Sequence, residues 1–87
     1  MATEEQITQL IESNLNTADI KVRVDGSHCV LAIASEDFAG LRTIKKQQLV
    51  YACLNELIAS GELHAVTMHT YTPQEWSAQK PLGFPGF

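Results

Sequence analysis

Apolar positions in the first fifteen residues recur at helical spacing: Ile7, Leu10, Ile11 and Leu15 share one side of a helix that ends at Asn14-Leu15-Asn16. Thr3 suits its N-cap, with Glu4 and Glu5 in the first turn and Gln6 three residues on. The period then changes. Over residues 20–24, Ile20, Val22 and Val24 alternate with Lys21 and Arg23, as in a half-buried strand. Asp25-Gly26-Ser27 is a tight-turn signal, and residues 28–34 (HCVLAIA) read as the paired strand of a hairpin. Residues 35–40 make a short loop containing Phe38-Ala39-Gly40. Over residues 43–60, Ile44, Val50, Tyr51, Leu54, Leu57 and Ile58 are expected to form one face of a long helix, closed by Gly61. Residues 64–71 predict a third strand, with Ala65, Val66 and Met68 as its apolar content. Thr72-Pro73-Gln74-Glu75 then marks a helix start, Thr72 capping and Pro73 in the first helical position, with Trp76 packing that helix down.

The order α-β-β-α-β-α describes an α/β (α+β) fold with a three-stranded mixed sheet and helices on one face. Strands one and two form an antiparallel hairpin. The long helix between strands two and three suits a right-handed parallel crossover. One domain is expected over residues 1–80, followed by a flexible Gly- and Pro-rich tail, residues 81–87. This topology carries a chemical expectation. His28 and His64 each open a strand, so parallel adjacent strands would make neighbours of two imidazoles 36 positions apart.

Composition narrows the function. Eighty-seven residues with a 45% hydrophobic share suit a single globular domain. No apolar run approaches the ~20 residues of a membrane span. The acidic start lacks the basic and apolar regions of a signal peptide, so a cytoplasmic location is expected. Cys29 and Cys53 form no Cys-x-x-Cys pair, and two cysteines alone hold neither an iron–sulfur cluster nor a structural zinc. A net charge of −4 argues against broad nucleic-acid affinity. Yet Lys21, Arg23, Arg42, Lys45 and Lys46, five of the six basic residues, fall between positions 21 and 46. Arg42, Lys45 and Lys46 oppose the dipole of the helix they begin. They make either a solvated face or an anion site for a phosphate, a glutathione carboxylate or an acidic partner. Cys53 reads as a core residue, and Tyr71 and Trp76 as packing residues. No nucleophile–base pair, phosphate loop or paired carboxylates point to an enzyme.

His64-Ala65-Val66, the later Thr72-Pro73-Gln74-Glu75-Trp76, and the upstream Phe38-Ala39-Gly40 and Val50-Tyr51 together resemble the BolA family over roughly residues 3–79. Asp25-Gly26-Ser27-His28 resembles its IbaG-type branch. By itself His64 reads either as a strand-edge histidine bonded to backbone or as a metal ligand through neutral imidazole. The resemblance implies the second: His64 as ligand to a shared [2Fe-2S] cluster, with a second ligand from the first hairpin loop. Successive strand residues point to opposite faces, so only one of His28 and Cys29 can readily face the cluster. The resemblance to the IbaG-type branch, where a histidine takes this place, implies His28, with Cys29 as the alternative.

A [2Fe-2S] cluster takes four ligands, so half must come from outside the chain. The resemblance implies their source: a CGFS monothiol glutaredoxin and a bound glutathione. Arg42, Lys45 and Lys46 would then receive glutathione or the partner. Cluster trafficking or iron, redox and acid-stress regulation would follow. The competing class is a KH-like DNA-binding transcriptional regulator, since the element order also resembles the class II KH fold. Against it, Lys46-Gln47-Gln48 stands where many BolA proteins have Arg-His-Arg, and no Gly-x-x-Gly clamp is present.

Overall fold

The computed structural model describes residues 2–79; the expected tail, residues 81–87, lies outside the described residues. Helix α1 spans Glu4–Asn14. Thr3 Oγ1 accepts a hydrogen bond from Gln6 N–H at 3.1 Å, relieving one orphan donor of the first turn. Strand β1 (Thr17–Asp25) pairs antiparallel with β2 (His28–Ser35). Gly26, at φ +62°, supplies the left-handed residue their turn requires. Strand β1 starts three residues before the alternating run. A register irregularity between Thr17 and Asp19 hides that start from period-two reading.

Ser35 is fully buried yet satisfied: its hydroxyl donates to Asn16 O at 2.8 Å and accepts from Asp37 N–H at 3.1 Å. A 3-10 turn, Glu36–Phe38, then drives Phe38 into the core. Helix α2 spans Thr43–Ala59, about 25 Å at 1.5 Å per residue. Strand β3 (Ala65–Tyr71) runs parallel to β2, pairing His28 with Ala65 through Ala34 with Tyr71. The sheet order is β1-β2-β3.

One core unites Ile7 and Ile11 of α1, Val50, Leu54 and Leu57 of α2, and Cys29, Leu31 and Ile33 of β2. Ile20, Val22, Val24, Val66 and Met68 pack against it from the outer strands. Helices α1 and α2 therefore cover one face of the sheet, as expected. The short helix α3 (Pro73–Gln79) does not join them. Its Trp76, only 5% exposed, donates Nε1–H to Asp19 Oδ2 at 3.0 Å and contacts the Tyr71 ring at 5.5 Å. Asp19, Ala34 and Tyr71 are in register, on the residues that alternate with the core-facing Ile20, Ile33 and Met68. So α3 caps one end of the opposite face, and the end of β2 over residues 32–34 is covered on both sides. That explains its nearly unbroken apolar run.

The long helix also departs from expectation. Val50, Leu54 and Leu57 are buried, but Ile44, Tyr51 and Ile58 are 60%, 43% and 36% exposed. The six apolar positions thus divide between two faces. No helix among the described residues is long and apolar enough to cross a membrane.

Candidate metal and partner site

The fold sorts its loops to two ends. Strand β2 leaves the β1–β2 turn at one end, α2 returns from the far end, and β3 starts beside β2. The Gly26 turn and the connection from Ser60 to His64 therefore meet. Helix α2 closes there through Ser60 N–H to Glu56 O at 3.0 Å and Leu63 N–H to Leu57 O at 3.1 Å, with Gly61 at φ +82°. His64 N–H then donates to Ser27 O at 2.9 Å, and Ala65 N–H reaches the same oxygen at 3.4 Å. These bonds fix the His64 backbone to the hairpin. Its ring stands over Gly61, where an added Cβ would lie 3.7 Å from Nε2.

The result is an open cleft of about 350 Å³ lined by Gly26, Ser27, Ser60, Gly61, Glu62 and His64. The Ser60 hydroxyl lies 3.1 Å from both Leu57 O and the Glu62 carboxylate. His64 is exposed, and among the described residues no hydrogen bond engages its ring nitrogens. The backbone anchor of the first reading is present, but it leaves the imidazole available to an outside atom.

His28 occupies the same end by another route. Its side chain leaves the sheet on the face opposite the core, and its Nε2 lies 3.1 Å from Thr67 Oγ1. Its in-register partner is Ala65, so the neighbour of His64 is Ser27. The two strand starts are adjacent as expected, but the one-residue offset sends the rings to different surroundings. With Nε2 facing Thr67, Nδ1 is the His28 nitrogen left for a ligand bond, and a hydrogen bond on the other nitrogen is what commonly orients a ligating imidazole. Cys29 points the other way, fully buried in the core. Burial, helped by the Glu4 charge, pushes its thiol up to about 11, while a metal ligand must be a thiolate. Of the two hairpin candidates, His28 is the one within a ligand's reach without opening the core.

Among the described residues no three His, Cys, Asp or Glu side chains converge as a metal site. The donor set nonetheless fits a shared group: exposed imidazoles suit iron, and four-ligand coordination would take its remaining donors from another molecule.

Arg42, Lys45 and Lys46 are not beside the histidines. They start α2, whereas Gly61 and His64 follow its end, about 25 Å away. Lys46 is further committed, its Nζ lying 3.9 Å from Glu75 Oε1. Glu75 also accepts from Thr72 N–H at 2.8 Å, and its own N–H donates to Thr72 Oγ1 at 3.2 Å. These bonds, the backbone one foremost, and the Lys46 charge hold the Glu75 carboxyl below its usual range. On one chain, then, these cations and His64 lie at opposite ends of α2. The basic residues that share the open sheet face with His28 are Lys21 and Arg23, both exposed. Their alternation with Val22 and Val24 was legible; their place beside His28 depends on strand register. Cys53 is half-buried against the core, its Sγ donating to Leu49 O at 3.3 Å. His69 pairs with Ala32 in mid-sheet, away from the cleft.

Comparison with known proteins agrees with this architecture. The family model described as BolA-like protein matches residues 6–75. The Escherichia coli (strain K12) acid stress protein IbaG is 38% identical over 77 residues, covering 88% of this chain and 92% of that protein. The DNA-binding transcriptional regulator BolA of Haemophilus influenzae is 37% identical over 68 residues, covering 78% of this chain and 62% of that protein. Among solved structures, a Bol-like protein from Babesia bovis superposes with a TM-score of 0.82 at 26% identity, covering 91% of this chain and 94% of that one. A BolA homologue from Coxiella burnetii gives a TM-score of 0.72 at 30% identity, covering 88% and 99%. With the family model spanning most of the chain and these relatives covering nearly all of it, the chain belongs to the BolA family, in its IbaG-type branch.

Proposed function

We propose that this chain is the histidine-donating half of a [2Fe-2S] cluster shared with a CGFS monothiol glutaredoxin and a bound glutathione. His64 is the principal ligand and His28 the second. The complex acts in the cytoplasm, in iron–sulfur trafficking or in iron, redox and acid-stress regulation, and the chain itself catalyses no covalent step. The observation that carries this reading is the His64 ring: exposed in an open cleft, fixed through its backbone to the His28 hairpin, and unengaged among the described residues. When bound, the cluster would supply electron storage and a pH-sensitive bond, because protonated imidazole cannot bind metal. The chain's part is to fix the His64 backbone against the hairpin and to orient the His28 ring through its Nε2 contact with Thr67. Lys21 and Arg23, on the His28 face, are the cations placed for glutathione carboxylates or an acidic partner.

Anaerobic reconstitution with a CGFS glutaredoxin, glutathione, iron and sulfide tests this by visible circular dichroism. The expected spectrum differs from that of the glutaredoxin homodimer, disappears with His64→Ala and changes with His28→Ala. An unchanged homodimer spectrum with all three proteins would refute the reading.

The regulator name of the Haemophilus influenzae relative favours a second reading, a KH-like DNA-binding regulator using the exposed Arg42 and Lys45. It predicts duplex affinity with a steep salt dependence, weakened by Arg42→Ala or Lys45→Ala.

A further inference from the structure

The two edges of the sheet are finished differently. On the β1 edge, Val24 N–H donates to Glu4 Oε2 at 3.1 Å and Ile20 N–H to Asp19 Oδ1 at 2.9 Å. The strand also carries Lys21, Arg23 and Asp25, and its pairing is irregular near its start. Charges, irregular pairing and side-chain bonds of this kind keep an edge from accepting another strand. The β3 edge has none of them. Ala65–Tyr71 (AVTMHTY) contains no lysine, arginine, carboxylate, proline or glycine, and its pairing with β2 is unbroken. Ala65 N–H points towards β2, where it reaches Ser27 O. Alternation along the ladder then turns the backbone groups of Thr67, His69 and Tyr71 inward and those of Val66, Met68 and Thr70 outward. No strand lies beyond β3, and among the described residues nothing bonds these outward amides.

We propose that the β3 edge receives an extended segment of the protein that brings the thiolate ligands to His64, adding a strand to the sheet. The inference rests on the shared-cluster reading and names how the partner docks. Position selects this occupant. His64 directly precedes β3, and an added strand lies about 4.8 Å from its neighbour, so the segment passes within one strand spacing of the His64 backbone. A molecule that must hold ligands at His64 needs bonds beside it, and the N–H and C=O of Val66, Met68 and Thr70 offer them in a row. Strand addition draws its affinity from such main-chain bonds and its specificity from the side chains that alternate along it.

Helix α2 specifies those side chains. Round the helix, at about 100° per residue, Cys53 lies to one side of the core line of Val50, Leu54 and Leu57, and Tyr51 about 90° to the other. Cys53 faces α1, which packs over β1. Ile44, Tyr51 and Ile58, exposed and apolar, therefore stand on the flank towards β3. The incoming segment turns alternate apolar side chains to that flank and polar ones to the outer face of the sheet.

Amide hydrogen exchange by nuclear magnetic resonance tests this on the isotope-labelled full chain, alone and with metal-free CGFS glutaredoxin and glutathione. The ladder amides of Thr67 and His69 should be protected in both states. Those of Val66, Met68 and Thr70 should exchange freely in the chain alone and slow by about tenfold or more in the complex. His64→Ala alters no edge amide and should keep this protection. A synthetic segment 53–87, ligated at Cys53, carries an N-methyl group on Met68, which removes one outward donor and no side chain. That variant should bind glutaredoxin about tenfold more weakly. If it fails to fold, the wild-type exchange rates decide alone. Edge amides that keep their free-chain rate in a complex that forms would overturn the docking, while a dichroism spectrum still dependent on His64 would leave the cluster reading standing. Protection with an unchanged homodimer spectrum would do the reverse. No association with glutaredoxin would overturn both. Protection without glutaredoxin would also overturn the docking: if it rises with concentration, the edge belongs to a second copy, and if it is constant, to the chain's own residues 80–87.

Discussion

The two ends of α2 treat their polar groups differently. At the end where α2 begins, side chains are tied to backbone or to one another: Asp37 accepts from Asn16 N–H at 2.8 Å, Trp76 donates to Asp19, and Glu75 is held by Thr72 and faces Lys46. At the end where α2 finishes, the backbone is tied but the rings are presented. His64 is anchored only through its N–H, and His28 by one bond to an exposed threonine. Internal pairing stabilises a fold, whereas exposed donors on a rigid backbone serve something outside it. Mutation should therefore cost stability at the first end and partner chemistry at the second.

The largest effect is expected at Trp76. Replacing it by alanine empties the buried space between α3 and the sheet, at about 3–5 kcal/mol by analogy with other buried aromatic truncations. In a chain this short that is a large share of the total. Urea denaturation of Trp76→Ala should show it, while His64→Ala should shift the midpoint by no more than an exposed substitution does, about 0.5 kcal/mol. Equal losses at the two positions would break the contrast.

Alkaline pH probes the core that joins the two ends. The Cys29 thiol is raised from 9.0 to about 11, mainly by burial. The folded state thus holds its proton more tightly than the unfolded chain does. The resulting stability is complete below pH 9.0 and is lost as pH climbs through about 11. Cys29→Ala should flatten that part of the stability curve by on the order of 2 kcal/mol, since one pKa unit is about 1.4 kcal/mol. Denaturant titrations of both proteins across this window give the difference. Equal slopes would mean that the thiol is more hydrated than its position implies. The same burial predicts that Cys53 reacts with a thiol reagent before Cys29.

Most of the architecture was legible because periodicity reports one local property, which side of an element is apolar. Ile7 and Ile11, or Val22 and Val24, needed nothing more. Periodicity fails where one element carries two apolar faces. Ile44, Tyr51 and Ile58 follow the helical repeat as faithfully as Val50, Leu54 and Leu57, and only packing separates them. It fails also for α3, whose side of the sheet depends on Trp76 finding Asp19, 57 positions earlier. The histidine pair was half legible. Strand starts and parallel topology brought the two backbones together, but the one-residue offset that parts the rings belongs to the register. The basic cluster was legible as charge and not as place: proximity in sequence to the strands concealed a whole helix length from the histidines.

A further prediction tests the cap of α3 on its own. Thr72→Ala removes the hydroxyl that accepts from Glu75 N–H, at about 1 kcal/mol for a lost N-cap. Denaturation of this variant should fall between Trp76→Ala and the wild type. A loss as large as that of Trp76→Ala would mean that the cap, rather than the indole, holds the helix on the sheet.

The smallest effect divides the basic cluster itself. Lys46 is mostly covered and faces Glu75 at 3.9 Å, whereas Arg42 and Lys45 are exposed. A pair at that distance with an exposed carboxylate contributes a few tenths of a kcal/mol and is screened by salt. Lys46→Ala should therefore lose about 0.5 kcal/mol at low ionic strength and less at high, part of it from the packed aliphatic stem. Arg42→Ala and Lys45→Ala should lose nothing measurable at either, and removing a cation from a helix start even favours a small gain. Denaturant titrations at two salt concentrations separate the three. If all three behave alike, the cluster is one solvated face and the division between structural and presented charge does not extend to this end of the helix. If Lys46 alone responds to salt, Arg42 and Lys45 are left as the cations at this end that an outside partner can use.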